Sequence, residues 1–144
     1  MVMKLAIGCD HGGYLLKVEV LKHLKEKGYE VKDFGCDSTD SVDYPEYARA
    51  VARAVAEGEA DKGIVICTTG IGVSIAANKV KGIRAALCSE TTSARLTRMH
   101  NDANVLALGG GIISTYLAKD IVDTFLTTDF CGEEKHARRI SHIE

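Results

Sequence analysis

Apolar and polar residues alternate along the chain in blocks that predict strands and helices in turn. Short apolar runs at 4–9, 64–67, 83–88 and 104–108, with a more alternating stretch at 29–34, have the length and composition of strands. Between them, apolar residues recur at the i, i+3, i+4, i+7 spacing of an amphipathic helix. The residues with this spacing are Leu16, Val20, Leu21 and Leu24, then Ala48, Val51, Ala52 and Val55, then Ala118, Ile121, Val122 and Phe125.

Glycine and proline mark the ends of several of these blocks. Gly28 is placed to end the first helix as its C′ residue. A loop is predicted at 35–44, and Pro45 suits the first turn of the helix after it. The remaining helices are predicted at 73–80, 91–99 and 133–143.

Strands that alternate with helices over short connections form right-handed βαβ units and a mostly parallel sheet. The five predicted strands therefore indicate an α/β protein, a three-layer α/β/α sandwich with a Rossmann-like or flavodoxin-like five-stranded parallel sheet. A chain of 144 residues fits one domain, and we expect 1–144 to form it.

Composition narrows the class of partner. The formal net charge of −2 gives no electrostatic reason to expect a nucleic acid or a membrane surface as partner. The chain has no apolar run near the roughly 20 residues that span a bilayer. Its five cysteines have no zinc-ligand spacing, so no metal is expected, and their odd number predicts reduced thiols in the cytoplasm. They are Cys9, Cys36, Cys67, Cys88 and Cys131.

The stretch GIVICTTGIGVSIAANK at 63–79 concentrates the candidate chemistry. A buried strand runs through a glycine-rich turn into a helix, which places free backbone N–H groups and a positive dipole end together, an arrangement that suits an oxyanion. Cys67 ends the strand at the edge where open α/β sheets bind ligands. Taken alone, this residue is better explained as a buried structural cysteine, and the hydroxyls and glycines beside it make the two interpretations equally good.

Other polar residues follow the ends of other strands. Asp10 and His11 follow the first strand, and the glycines at 109–111 follow the last. His100 and Asn101 end the helix that precedes that last strand. Because parallel strands share one carboxyl edge, these groups could converge with the thiol. Each has a structural alternative: an N-cap for Asp10, a solvated loop for His11, and a helix-dipole contact for His100.

Several familiar motifs are excluded around Cys67. The stretch has no Walker phosphate loop, and a G-x-G-x-x-G that begins at Gly70 fails at Ile75. A C-x5-R phosphatase motif would need Arg where Val73 stands. Proton transfer remains the natural task, since a thiol at a helix N-terminus ionises more readily than a free one.

Five motifs together resemble the type B ribose-5-phosphate isomerase family, which also includes isomerases of allose and galactose 6-phosphates. They are GCDHGGY (8–14), SVDYPEYA (41–48), the stretch at 63–79, GIRAALC (82–88) and HNDANVLALG (100–109). The resemblance implies a five-stranded parallel sheet and a homodimer with shared active sites, or a tetramer built from it. It also implies a sugar-phosphate isomerase domain acting on a small phosphorylated sugar in the pentose phosphate pathway.

The reaction that the resemblance implies is the interconversion of ribose 5-phosphate and ribulose 5-phosphate through a cis-enediol, without metal or cofactor. Cys67 matches the catalytic base, and Thr69 matches the hydroxyl that handles the proton between the two sugar oxygens. The N–H groups that would hold the enediolate are those of Gly70, Ile71, Gly72, Val73 and Ser74.

The resemblance implies further roles around the substrate. Asp10 matches a residue of the catalytic set that binds the sugar hydroxyls, and Tyr44 lines the same pocket. His100 matches the residue that opens the furanose ring, with Asn101 beside it, both contributed across the dimer interface. His11 and Arg139 match phosphate contacts, and Lys135 and Arg138 belong to the same tail motif.

Three positions depart from the family pattern. Thr68 replaces the Gly of C-G-T-G, Gly111 replaces an Arg, and Lys135 replaces another Arg. We expect Thr68 to have an allowed backbone conformation and its methyl group to narrow the pocket. The changed phosphate contacts leave a 6-phosphorylated hexose as the alternative substrate. A non-catalytic flavodoxin-like binding domain is a further alternative, against which the retained set of Cys67, Thr69 and His100 argues.

Overall fold

The computed structural model describes residues 2–143 as strands and helices that alternate around one sheet. The strands are β1 (Lys4–Cys9), β2 (Glu30–Asp33), β3 (Lys62–Cys67), β4 (Ala85–Leu87) and β5 (Val105–Gly109). The helices are α1 (Tyr14–Glu26), α2 (Tyr44–Ala56), α3 (Ile71–Asn78), α4 (Thr91–Leu96), α5 (Thr115–Thr127) and α6 (Glu134–Ser141). A 3₁₀ turn at His11–Gly13 follows β1, and a π-helical turn at Thr97–Asn101 extends α4. Among these elements, no helix combines the length and apolarity needed to cross a membrane.

All strand pairs are parallel, in the order β2-β1-β3-β5-β4. The predicted three-layer α/β/α sandwich with five parallel strands is confirmed. The order departs from the flavodoxin arrangement in its last two strands, because β5 lies inside the sheet and β4 lies at its edge. The chain leaves β1 toward one edge and β3 toward the other, so the sheet has its switch point between these two strands.

Each face of the sheet has its own apolar layer. Helices α1, α4 and α5 cover one face, and α2 and α3 cover the other. Successive side chains of a strand point to opposite faces. On β3, Ile64 and Ile66 join the first layer, while Val65 and Cys67 join the second. The Cys67 side chain therefore lies on the same face as α3.

Small residues let α2 pack directly on the sheet backbone. A Cβ atom at Gly8 would lie 2.8 Å from a Val51 methyl carbon, and one at Gly63 would lie 2.7 Å from the other Val51 methyl carbon. Such distances leave no room for a side chain at either position. The close packing fixes α2, whose first residue, Tyr44, reaches the carboxyl edge of the sheet.

A buried lysine ties α1 to the loop that follows β2. Lys17 is 2% exposed, and its Nζ donates to both carboxylate oxygens of Asp33 at 3.0 and 2.9 Å and to the Cys36 carbonyl at 2.5 Å. The same loop continues to Val42, whose N–H donates to the His11 ring. The ion pair thus stabilises a segment that holds a candidate site residue.

This ion pair should respond asymmetrically to the loss of either partner. Asp33→Asn leaves a buried ammonium group without its counter-ion, and we expect a loss of about 2 kcal/mol, below the usual range because the Asp33 side chain is 31% exposed. Lys17→Met keeps the apolar stem and leaves a carboxylate that water can reach, so the loss should stay below about 1 kcal/mol. Urea unfolding of both variants measures the difference. A larger loss for Lys17→Met than for Asp33→Asn would contradict this account.

Candidate active site

The candidate site lies at the carboxyl ends of β1, β3 and β5, at the switch point of the sheet. Backbone hydrogen bonds join the three strand ends: the Asp10 N–H donates to the Ile66 carbonyl at 3.2 Å, and the Gly110 N–H donates to the Cys67 carbonyl at 2.8 Å. Ligands of open α/β sheets bind at such a point. The predicted convergence of Asp10 with Cys67 and the glycines after β5 is confirmed.

The thiol of Cys67 is held by the turn that starts α3. The Gly70 N–H donates to Sγ at 3.1 Å, and the Cys67 side chain is nearly buried. Gly70 has φ +79°, a left-handed conformation that favours glycine, and it forms the N-cap of α3. A backbone N–H and the N-terminus of α3 are thus both directed at the sulfur atom.

The first turn of α3 provides further donors. The Ile71 N–H donates to Thr69 Oγ1 at 3.1 Å, so the Thr69 hydroxyl proton is free to donate elsewhere. Within residues 2–143, no group accepts from the N–H of Gly72 or Val73. The Ser74 hydroxyl is already used, since it donates to the Ile71 carbonyl at 2.7 Å. Two unoccupied N–H groups at a helix N-terminus suit a developing oxyanion.

Tyr44 forms a wall beside these donors. A Cβ atom at Gly72 would lie 2.6 Å from Tyr44 Cε1, so the phenol ring packs against the bare backbone of α3. Tyr44 remains 40% exposed. Its position against the first turn of α3 agrees with the role of pocket lining that the resemblance implies.

Asp10 and His11 each have one hydrogen bond that fixes the side chain. Asp10 Oδ1 accepts from the Gly13 N–H at 3.2 Å, so the predicted N-cap role is correct for this oxygen. Its other oxygen has no partner among residues 2–143 and reaches solvent. His11 Nδ1 accepts from the Val42 N–H at 3.1 Å, which requires a neutral ring with its proton on Nε2. Nε2–H can then donate to a ligand.

Thr68 fills the space between two glycines. Its Oγ1 contacts the position that a Cβ would take at Gly12, and its Cγ2 lies 2.9 Å from the position of a Cβ at Gly111. Among residues 2–143, Asp102 is the one non-glycine residue with positive φ. The expectation of an allowed backbone at Thr68 is therefore confirmed, and glycine at 111 is required by space rather than by positive φ.

His100 and Asn101 lie in a second group of residues, on the π-helical turn. The turn is anchored by Arg98, which is 5% exposed and donates to the Ala103 carbonyl at 2.7 Å and to Asp102 at 2.8 Å. Arg84 adds a hydrogen bond from Nε to the Asn101 carbonyl at 2.8 Å. Neither arginine was predicted from the sequence, because the hydrogen bonds that hold their guanidinium groups are tertiary contacts that the neighbouring residues do not reveal.

The tail helix joins this second group through a pair of stacked rings. His100 and His136 have centroids 4.3 Å apart and an interplanar angle of 12°. Partial burial lowers the pKa of His136, and the neighbouring His100 lowers it further. The cationic residues of α6 are exposed, and two of them form surface ion pairs, Lys135 with Glu133 and Arg138 with Glu134.

The two groups remain separate within one chain. No hydrogen bond or ion pair between residues of the described range 2–143 links the Cys67 group to the His100 group. A cavity of about 230 Å³ borders Thr69 and Ile71, and another of about 400 Å³ borders His100 and Asn101. Leu87 lines both cavities.

Comparisons with known proteins agree with this fold and these motifs. The family described as Ribose/Galactose Isomerase matches residues 5–143. Ribose-5-phosphate isomerase B of Escherichia coli is 54% identical over 140 residues, covering 97% of this chain and 93% of that protein. The structure of Clostridium thermocellum ribose-5-phosphate isomerase B has a TM-score of 0.96 at 57% identity and covers 98% of this chain and 95% of that one. The type B ribose 5-phosphate isomerase of Trypanosoma brucei also has a TM-score of 0.96, at 47% identity, with 99% and 97% covered.

The chain therefore belongs to the ribose/galactose isomerase family. The resemblance to type B ribose-5-phosphate isomerases is confirmed, and with it the prediction of an enzyme of the aldose–ketose isomerase class.

The thiols should differ in reactivity toward iodoacetamide at pH 8. Burial raises the pKa of Cys9 to about 12 and that of Cys88 to about 11, so about one Cys88 thiol in a thousand is ionised and fewer still at Cys9. Cys67 should react faster and be protected by a pentose phosphate, while half-exposed Cys131 serves as the unprotected control. Peptide mass spectrometry over time measures the rates. Labelling of Cys88 as fast as that of Cys67 would count against an activated thiol.

Thr68 and Gly111 should be energetically coupled. Gly111→Ala places a Cβ 2.9 Å from Thr68 Cγ2 and 3.1 Å from the Thr68 carbonyl oxygen, and overpacking of this kind costs about 1–3 kcal/mol. Thr68→Gly removes the methyl group, so the double variant should be about 1 kcal/mol more stable than the sum of the single changes. Urea unfolding of the four proteins completes the cycle. Strict additivity would show that the two departures from the family pattern are independent.

Proposed function

We propose that this chain interconverts ribose 5-phosphate and ribulose 5-phosphate through a cis-enediolate, with Cys67 as the base. The observation that supports this proposal most directly is the 3.1 Å hydrogen bond from the Gly70 N–H to Cys67 Sγ. It lies beside the unoccupied N–H groups of Gly72 and Val73. A base and an oxyanion site in one turn are the two parts that an aldose–ketose isomerisation needs. The names of the relatives support the choice of sugar.

The proposed proton transfer uses one thiol in both directions. The Cys67 thiolate removes the proton from C2 of the open-chain aldose. The electron pair of the C2–H bond forms the C1–C2 double bond, and the π pair of the carbonyl group moves onto its oxygen at C1. The resulting enediolate accepts hydrogen bonds from the N–H groups of Gly72 and Val73, each worth about 3 kcal/mol by comparison with other oxyanion donors. The Thr69 hydroxyl moves a proton between the two sugar oxygens. The thiol then returns its proton to C1, so the reaction has no net proton change.

The other contacts with the sugar phosphate are assigned to side chains that still have a free donor or acceptor. The solvent-reaching oxygen of Asp10 and the Tyr44 hydroxyl are placed to bind sugar hydroxyls. Nε2–H of His11 is placed to donate to the phosphate. Arg138 and Arg139 provide guanidinium groups that can bind phosphate through paired hydrogen bonds, and the exposed pair of Arg138 with Glu134 is weak enough to exchange. Lys135 adds a point charge to the same helix.

We further propose that two chains share each active site, with His100 and Asn101 entering from the partner chain to open the sugar ring. An apolar patch next to Thr69 supports a dimer interface: Ile71, Leu87 and Ile112 are 51%, 41% and 62% exposed and line one cavity. Leu87 also borders the cavity of His100. A patch that reaches from one residue group to the other is where a second copy can complete the site.

We also place the enzyme in the cytosol. All five cysteines are free thiols, and Cys9 and Cys36 remain unbonded with sulfur atoms 3.9 Å apart. Free thiols at this separation fit a reducing compartment better than an oxidising one.

A 6-phosphorylated hexose is the competing substrate, because the family description also names galactose. The Thr68 methyl carbon lies 2.9 Å from the position of a Cβ at Gly111, and we propose that this methyl group reduces the space for a longer sugar. We expect kcat/KM for ribose 5-phosphate to exceed that for allose or galactose 6-phosphate by at least about tenfold, the discrimination that one extra carbon group supports. A coupled assay with the three sugars decides between the two classes, and a preference for a hexose would replace the proposal.

Removing the base should stop catalysis without stopping binding. Cys67→Ala should lower kcat by about 10²-fold or more, since general-base catalysis contributes 10²–10⁴-fold, and should leave the dissociation constant of the sugar phosphate nearly unchanged. Cys131→Ala, at a half-buried thiol outside the Cys67 group, is the matched control and, with both proteins assayed free of metal, should keep full activity. Initial rates and calorimetric titration measure the two effects. More than about a tenth of wild-type kcat in Cys67→Ala would rule out this base.

Shared active sites predict complementation between two inactive variants. In a mixed dimer of Cys67→Ala and His100→Asn chains, one site combines both wild-type residues and the other combines both changes. Equal mixing makes half of the dimers mixed, so about one quarter of the sites should be intact. Activity should therefore rise from near zero to about one quarter of wild type after unfolding and refolding the chains together. No recovery would place His100 and Cys67 in the site of a single chain.

A further inference from the structure

Three side chains with different ligating groups meet at the start of α6, outside the Cys67 group. One atom each from Cys131, Glu133 and His136 lies within 4.8 Å of the other two. The spacing C-x-E-x-x-H brings them together because Glu133 is the N-cap of α6 and His136 lies in its first turn. The spacing of the cysteines alone did not indicate this cluster, since only one of its members is a cysteine.

We propose that Cys131, Glu133 and His136 bind a zinc ion at a site outside the Cys67 group. Thiolate, imidazole and carboxylate are the ligands that Zn²⁺ uses in proteins, and three protein ligands leave a fourth position for water. Magnesium and calcium prefer oxygen ligands throughout, so a thiolate selects against them. Binding converts the Cys131 thiol to a zinc thiolate and releases its proton to the buffer.

The geometry is close to what zinc requires. Zinc–ligand bonds of 2.0–2.3 Å place tetrahedral ligand atoms roughly 3.3–3.8 Å apart, so the cluster must contract by about 1 Å. Glu133 can supply this movement because its side chain is 56% exposed and its one ion pair, with Lys135 at 3.6 Å, is at the surface. The closure therefore needs side-chain rotation rather than refolding of the segment.

Neighbouring contacts already orient the ligands. The Cys131 N–H donates to the Met99 carbonyl at 3.1 Å, and the Glu133 N–H donates to Cys131 Sγ at 3.5 Å. The His136 ring stacks on His100, which fixes its plane. Outer contacts of this kind orient metal ligands and stabilise the bound thiolate.

The tail helix has a physical need for such an anchor. α6 is eight residues long and buries none of them. Helices of this length are marginal in water unless tertiary packing holds them. A metal ion bound through the N-cap and the first turn would supply the attachment that apolar burial does not.

The test is a zinc titration of the metal-free full chain in competition with a chromogenic chelator. Wild type should bind about one zinc ion per chain more than Cys131→Ser does, or at least about tenfold more tightly at that site. His136→Gln and Glu133→Gln should also lower the affinity for zinc. If Cys131→Ser fails to fold, either of these variants tests the proposal in its place. Glu134→Gln, which changes the next carboxylate along the chain, is the matched control and should bind zinc like wild type.

Cobalt provides a spectroscopic check on the ligand. Co²⁺ bound to wild type should show a thiolate-to-metal charge-transfer absorption that Cys131→Ser lacks, and a tenfold excess of Mg²⁺ should not displace it. Equal zinc binding by wild type, Cys131→Ser and His136→Gln, or displacement by magnesium, would overturn the proposal. Because every readout is metal binding, the result is independent of whether the chain isomerises a pentose or a hexose phosphate.

Discussion

The hydrogen bond from the Gly70 N–H to the Cys67 thiol is the contact on which the proposed chemistry depends. The turn at 68–70 directs the Gly70 N–H toward sulfur, and the left-handed conformation of Gly70, with φ +79°, lets α3 start at the next residue. One turn therefore polarises the thiol and leaves the N–H groups of Gly72 and Val73 unoccupied. A side chain at Gly70 would also lie 2.5 Å from a Leu87 methyl carbon, so space and conformation both require glycine.

The hydrogen bond between Gly70 and Cys67 is held in place by neighbouring segments whose backbones pack directly against each other. A Cβ at Gly13 would lie 2.5 Å from the Ile66 carbonyl oxygen, and one at Gly109 would lie 2.6 Å from that of Thr69. Gly13 in the turn after β1 and Gly109 at the end of β5 thus let both segments close on the end of β3. Thr68 fills the space that remains between Gly12 and Gly111. A site built in this way is rigid before substrate arrives, which is the condition for effective oxyanion stabilisation.

Much of this arrangement was predictable, because it depends on local pattern. Periodicity identified all five strands, and the apolar run ending at Cys67 followed by Gly70 identified the central turn. The strand order was not predictable in the same way, because it depends on which strands pair, and only the pairing of β5 with both β3 and β4 leaves β4 at the edge. The predicted strand at 83–88 is also longer than β4, because only Ala85–Leu87 pair with β5.

Contacts between distant segments account for what sequence reasoning missed. The stack of His100 on His136 and the hydrogen bond from the Cys131 N–H to the Met99 carbonyl join the tail to the π-helical turn, and no short-range pattern predicts either. Arg98 is buried because two carbonyl groups, one carboxylate and an aromatic ring contact its guanidinium group, a tertiary environment that composition does not reveal. The relation between Thr68 and Gly111, the two departures from the family pattern, is also a contact in space that their distance along the chain does not indicate.

Hydrogen exchange at the sugar carbons tests the central claim, that the Cys67 thiol itself carries the proton. Ribulose 5-phosphate is incubated with the enzyme in D₂O, and NMR follows deuterium at C1. A single base on one face of the enediolate predicts deuterium at one of the two C1 positions for wild type, and at least about a hundredfold slower exchange for Cys67→Ala while the sugar still binds. Exchange at both C1 positions, or exchange that persists in Cys67→Ala, would contradict the account.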